Sequence, residues 1–230
     1  MKQFEVPAFF RSGLLSKVKA ERKTADPRKK DFSPTQIIMG DFTFVLARHF
    51  GFCYGVENAI ERSYKALSEN PGKRIFLLSQ MIHNPAVNED LQANGISFLQ
   101  DTHGNQLIDF KELNSDDIIL IPAFGTTLEI EQRLRNLKID IQTYNTTCPF
   151  VEKVWNRSEK LGQDKHTIII HGKHDHEETR ATFSHAAAFG LALVVKNMQE
   201  ATFLAQVIKK QKSSAEFHAY FNGKYTPGFD

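Results

Sequence analysis

Two apolar runs, each leading through a cysteine-bearing turn into a helical stripe, set the rhythm of this chain. Residues 42–47 (Phe-Thr-Phe-Val-Leu-Ala) are rich in β-branched and aromatic side chains and read as a buried strand. Gly51 and Gly55 bracket the turn that carries Cys53. Beyond it Val56, Ala59, Ile60, Tyr64 and Leu67 recur at helical spacing until Asn70-Pro71-Gly72 ends the pattern. Residues 139–144 repeat the strand, and Val151, Val154, Trp155 and Leu161 repeat the helix as its buried stripe. Pro149 falls in that helix's first turn, where a missing N–H has no partner to lose.

Further strands are expected at 75–78, 118–121, 167–170 and 193–195. Helices are expected through Val87 and Leu91, along Leu128, Ile130, Leu134 and Leu137, and over 201–208. This alternation predicts an α/β fold of small parallel sheets covered by helices, with ligands bound beyond the carboxyl ends of the strands. Residues 211–230 are polar and read as a connector.

The two copies align residue on residue. Cys53-x-x-Val56-Glu57-x-x-x-x-Arg62-Ser63 matches Cys148-x-x-Val151-Glu152-x-x-x-x-Arg157-Ser158, and these are the two cysteines of the chain. Five identities at fixed offsets around so rare a residue indicate an internal duplication. His83 follows Cys53, and His176 follows Cys148, each at the exit of the next expected strand. The division that follows is a basic N-terminal arm over 1–40, a first αβα domain with its leading strand over 41–147, a second over 148–215, and a connector over 216–230 towards a third domain absent from this chain.

Composition narrows the function classes. A chain of 230 residues, 41% hydrophobic and 24% charged, suits a globular protein of two modest domains. Residues 1–35 hold nine Lys/Arg against four Asp/Glu, leaving 20 against 23 of the chain's 29 and 27 elsewhere. The body is near neutral, which argues against a nucleic-acid enzyme with a basic face, and the basic arm reads as a solvated amphipathic helix. No apolar run reaches the roughly 18 residues of a membrane span, and no secretory core is visible, so a cytoplasmic protein without a membrane partner is expected. In that compartment two cysteines point to metal binding or catalysis more than to a disulfide.

Placed at helix N-termini, both sulfurs sit where backbone N–H groups and the helix dipole favour a thiolate. Cys53 and Cys148 are therefore candidate ligands of one shared metal centre, with His83 and His176 around the substrate; each cysteine could equally be a small buried residue behind its turn. Zinc held by these two Cys and two His is an alternative, although the spacing lacks the tight Cys-x-x-Cys pairs of a zinc knuckle. An iron-sulfur cluster needs more than two thiolates, and a third copy of the repeat would place another cysteine about 95 residues past Cys148. The run from His171 to Glu178 holds three histidines and two glutamates and suits acid/base work or anion binding. Phe124 is expected to line a pocket or pack beneath one. His103, His166 and His185 read as ordinary surface or helix residues.

Taken together, Gly51-Phe52-Cys53-Tyr54-Gly55-Val56-Glu57, Ile82-His83-Asn84-Pro85, Pro122-Ala123-Phe124-Gly125, Thr147-Cys148-Pro149-Phe150-Val151-Glu152-Lys153-Val154-Trp155 and His176-Glu177-Glu178-Thr179 resemble the 4-hydroxy-3-methylbut-2-enyl diphosphate reductase (LytB/IspH) family, over residues from about 43 to 230. The resemblance implies three αβα domains around a central 4Fe-4S cluster with one cysteine from each, the third lying beyond residue 230. It implies an oxidoreductase that removes the hydroxyl of a small-molecule allylic diphosphate as water, giving isopentenyl and dimethylallyl diphosphate at the end of the non-mevalonate pathway. An electron-donor protein such as ferredoxin or flavodoxin is implied as partner. By match of motif, Cys53 and Cys148 would ligate the cluster, His83 and His176 would hold the diphosphate with Phe124 beside them, and Glu178 would deliver protons. Many members carry His at the position of Phe124, so one diphosphate contact differs here.

Overall fold

The computed structural model describes residues 12–28 and 30–228. The first eleven residues of the expected basic arm lie outside this range. Within it, Ser12 caps α1 (Gly13–Ala25) by accepting from the N–H of Leu15, and Val18 is the helix's buried residue. Lys19 of α1 reaches Glu57, in the first turn of the helix that follows Cys53, at 3.3 Å.

Residues 42–47 depart from expectation. They form a strand, β2 (Phe42–Leu46), but it pairs antiparallel with β1 (Thr35–Met39) in a hairpin turned at Gly40 and Asp41. Gly40 takes a positive φ of 60°, as the tight turn requires. The hairpin is exposed rather than buried, with Phe42 72% and Val45 60% accessible. An apolar run carries no record of which sheet it will join, so burial was inferred where only strand propensity was legible.

The first unit is built on a three-stranded parallel sheet in the order β4-β3-β5, with β3 (Ile75–Leu77) central between β4 (Ile96–Phe98) and β5 (Ile118–Leu120). Helix α2 (Tyr54–Glu69) buries Ala59, Ile60 and Tyr64, and α3 (Pro85–Ala93) buries Val87 and Leu91, against one face of this sheet. Phe76, Ile119 and Ile121 face the other way, towards Leu134 of α4 (Leu128–Asn136). Leu77, Leu91 and Leu120 are fully buried, and truncating any of them to Ala would cost about 2–5 kcal/mol. The strand expected at 139–144 reduces to one parallel bridge, Ile121 with Asn145, flanked by Ile121 N–H to Tyr144 O and Thr146 N–H to Ile121 O. Its apolar side chains are nonetheless buried, with Ile139, Ile141 and Tyr144 in the core.

The second unit follows. Helix α5 (Pro149–Gln163) buries Trp155, Ser158 and Gly162, so the expected stripe is displaced and Val154 is 51% exposed. Gly162 packs against the backbone of Phe189 and Gly190, where a side chain has no room. Strands β6 (Ile168–His171) and β7 (Ala192–Val195) pair in parallel through α6 (Glu177–Ala187), and α7 (Met198–Ile208) follows. Within the connector expected over 216–230, residues 216–226 are instead part of this unit's packing. Helix α8 (Ser214–Tyr220), held by a Ser213–Glu216 capping box, sends Phe217 into a core with Leu193, Val195 and Phe221. Beyond it Tyr225 bridges to Leu193. The polar composition of 211–230 concealed these anchors.

Candidate active site

The polar clusters of both units meet where β3, β5 and β6 end. After β3 the chain runs through Ser79 to His83, and a buried amide fixes the loop: Asn88 accepts from Met81 N–H at 3.0 Å and donates to Ile82 O at 2.8 Å. Asn84 caps α3 through the N–H of Val87, and Pro85 occupies the first helical turn. The Ile-His-Asn-Pro sequence is thus a helix start that leaves His83 on its outer side.

After β5, Gly125 N–H closes a turn on Pro122 O at 2.9 Å, and Gly125 itself has φ +73°. This turn presents Phe124 under His83, with ring centroids 4.3 Å apart and planes 20° from parallel. A Cβ on Gly125 would enter the Trp155 ring of α5. Trp155 in turn stacks on His185 at 3.7 Å, and His185 Nε2 lies 3.3 Å from Thr126 O. Burial holds the His185 imidazole below its usual range. His185, read from sequence as ordinary, is therefore a joint between the units, supported by the Leu128 N–H to Ser184 hydrogen bond of 3.0 Å.

His176 is the N-cap of α6, and its Nδ1 accepts from Glu178 N–H at 3.3 Å. In the neutral ring this leaves the proton on Nε2. The His83 and His176 rings approach to 4.9 Å, tilted by 58°. His83 is held below its ordinary pKa, first by burial and then by His176, while Glu178 acts in the opposite direction. Glu178 is exposed and lines an open cleft of about 470 Å³ together with His171, Lys173, His176, Thr179 and Thr182. Its neighbour Glu177 is buried, and burial pushes its carboxyl up to about 7.

The cysteines occupy equivalent places. Cys53 is the N-cap of α2 and Cys148 the N-cap of α5, both in extended conformation, and neither sulfur takes part in a cap hydrogen bond. Both are free, Cys53 exposed and Cys148 half-buried. Cys148 N–H donates to Ala123 O at 2.9 Å, which fixes it at the exit of β5. Its sulfur rests on the backbone of Gly55, two residues past Cys53, where any Cβ would fill its place. One uncapped thiol resting on the backbone two residues past the other cysteine fits two ligands of a thiolate-bound cluster. Among the described residues no three His, Cys, Asp or Glu side chains gather as a metal site. The zinc set of Cys53, Cys148, His83 and His176 is accordingly not gathered among them, while the His83 ring pairs with those of His176 and Phe124.

His83, His176 and Phe124 are thus brought together, Glu178 stands at the adjoining cleft, and Cys148 packs against the helix turn that follows Cys53. Sequence reasoning did not single out Ser79 or Glu177, which join the units beneath the histidines. The paired glutamates after His176 were the available signal.

Among the described residues no helix is long and apolar enough to cross a membrane. Residues 44–222 match the family model described as LytB protein. The chain is 40% identical to the 4-hydroxy-3-methylbut-2-enyl diphosphate reductase of Synechocystis over 191 residues, covering 83% of this chain and 48% of the relative. It is 40% identical to that of Gloeothece citriformis over 195 residues, covering 85% and 47%. The chain spans about half the length of the curated relatives it matches. Among solved structures, the E-1-hydroxy-2-methyl-but-2-enyl-4-diphosphate reductase of Plasmodium falciparum superposes with a TM-score of 0.56 at 25% identity, over 65% of this chain and 43% of that one. A structure of (E)-4-hydroxy-3-methyl-but-2-enyl diphosphate reductase shares the fold with a TM-score of 0.54 at 24% identity, over 65% and 50%.

Proposed function

This chain belongs to the LytB protein family, and from that premise we propose that it supplies two of three units of a 4-hydroxy-3-methylbut-2-enyl diphosphate reductase, acting in the cytoplasm on the last step of the non-mevalonate pathway. The observation that carries this reading is the contact of His83 with His176 across the two units. It makes one anion-binding edge out of both halves of the duplication.

Ring N–H groups of His83 and His176 donate to oxygens of the substrate diphosphate, and His176 does so through Nε2 because its Nδ1 is engaged by the Glu178 N–H. Lys173 lines the same cleft and adds a cation. Phe124 backs His83 in place of a further imidazole and holds its ring to one orientation. The exposed carboxyl of Glu178 gives its proton to the departing hydroxyl, which leaves as water. Cys53 and Cys148 would hold a 4Fe-4S cluster, which when bound supplies the two electrons of this reduction, with a ferredoxin or flavodoxin as their source.

A third unit is supported by the β1–β2 hairpin. The apolar run before Cys148 is buried and leads into a single bridge, Asn145 with Ile121, just past the end of β5, whereas the run before Cys53 is exposed and, among the described residues, pairs with β1 alone. A sheet edge from a third unit would complete the pattern and bring the third thiolate. Calorimetric titration with 4-hydroxy-3-methylbut-2-enyl diphosphate tests the reading. His83→Ala and His176→Ala are each expected to weaken binding about tenfold or more, and unchanged affinity in both would overturn it.

A further inference from the structure

Buried between the two units, beneath His83, lies a carboxylate that the proposed chemistry does not use. We propose that Glu177 is a positioning residue, contributed by the second unit, that orients His83 of the first and balances its charge when an anion binds. The inference rests on the reading of His83 as a diphosphate contact.

Glu177 opens α6 and is only 7% exposed. Its Oε2 accepts from the hydroxyl of Ser79, a buried residue at the exit of β3, 98 positions away in sequence. Its Oε1 lies 3.7 Å from His83 Nε2 and has no hydrogen-bond partner. A buried acceptor left unpaired is costly, and 3.7 Å is a few tenths of an ångström beyond a hydrogen bond. A small turn of the His83 ring closes that gap. Phe124 stacks on the ring and His176 stands beside it, so Glu177 is the group that faces its Nε2.

The charges around the carboxyl complete the picture. Burial is the largest influence and favours the neutral acid; Ser79 and Arg180 oppose it, whereas Glu178 and Asp101 reinforce it. His83 is disfavoured as a cation by its own burial and by His176. Wherever the carboxyl is protonated, Ser79 occupies Oε2, which leaves Oε1–H directed at His83 Nε2 and the imidazole proton on Nδ1. When a diphosphate binds at Nδ1, the O–H bond of Glu177 breaks and an N–H bond forms at Nε2. The neutral pair becomes a carboxylate and an imidazolium, with no proton gained or lost. The buried acid thereby orients the imidazole and sets its charge state.

The test uses the chain as it stands, with inorganic diphosphate as probe and nitrogen NMR of the histidine rings as a second readout. Glu177→Gln keeps the shape and the Ser79 contact but cannot become a carboxylate. It is expected to weaken diphosphate binding about tenfold and to lower the titration midpoint of His83, while Ser79→Ala moves both in the same direction by less. Retained binding with an unmoved His83 midpoint in both variants overturns the proposal. If wild-type protein does not bind diphosphate, the functional reading fails; the His83 nitrogen shifts still decide the role of Glu177, because they require no ligand.

Discussion

His83 lies flat against Phe124, 4.3 Å between centroids, with one ring from the loop after β3 and the other from the turn after β5. The stack fixes the imidazole plane without consuming either ring nitrogen. An aromatic pair of this kind contributes about 0.5–1.5 kcal/mol. Phe124→Ala should therefore weaken diphosphate binding roughly three- to tenfold, with little change in melting temperature because Phe124 is only half-buried. Phe124→His, which keeps a flat ring and adds a donor, should bind at least as tightly as the natural chain. Calorimetry on the two variants checks both expectations; equal weakening by Ala and His would show that the phenyl ring acts by other means.

Gly55 underlies the sulfur of Cys148, and a methyl group there would displace it. Gly55→Ala is expected to leave far-ultraviolet circular dichroism largely unchanged, since Gly55 lies inside α2 and alanine favours helix. The same change should abolish joint ligation by Cys53 and Cys148. Iron uptake equal to that of the natural chain would place the sulfurs elsewhere.

Phe221 is fully buried and Phe217 nearly so, beside Leu193 and Val195. Phe221→Ala should cost about 3–5 kcal/mol in denaturant unfolding. A cost near zero would favour the connector expected over 216–230.

Stability should also record Glu177. Its folded-state pKa of about 7 lies above the ordinary 4.5. The stabilising protonated form is fully present below a pH of about 4.5 and is lost as pH rises through about 7, because the unfolded chain ionises first. Glu177→Gln has no such slope. The stability of the variant relative to the natural chain should rise between pH of about 4.5 and 7 and then level off; a pH-independent difference would contradict the assignment.

Much of this was legible in the chain. The duplicated cysteine motif located both helix starts, and the alternation of strands and helices located the edge at which His83, Phe124 and His176 gather. Strand length and partners were less legible. Residues 139–144 and 42–47 look alike as apolar runs, yet the first has its apolar side chains buried beside a single bridge and the second is an exposed hairpin strand. That difference depends on which sheet edge is within reach, a property of tertiary structure. Ser79 and Glu177 escaped for a related reason: a serine and a glutamate 98 positions apart are unremarkable until folding buries them against each other.

Cys53 and Cys148 are proposed to serve one cluster together. Anaerobic reconstitution of this chain with iron and sulfide, with a small external thiol offered for the remaining position, followed by iron, zinc and acid-labile sulfide analysis, tests it most directly. Joint ligation predicts iron and sulfide bound by the natural chain and lost in Cys53→Ser and Cys148→Ser alike. Stoichiometric zinc without sulfide, or iron and sulfide retained by either variant, would contradict it.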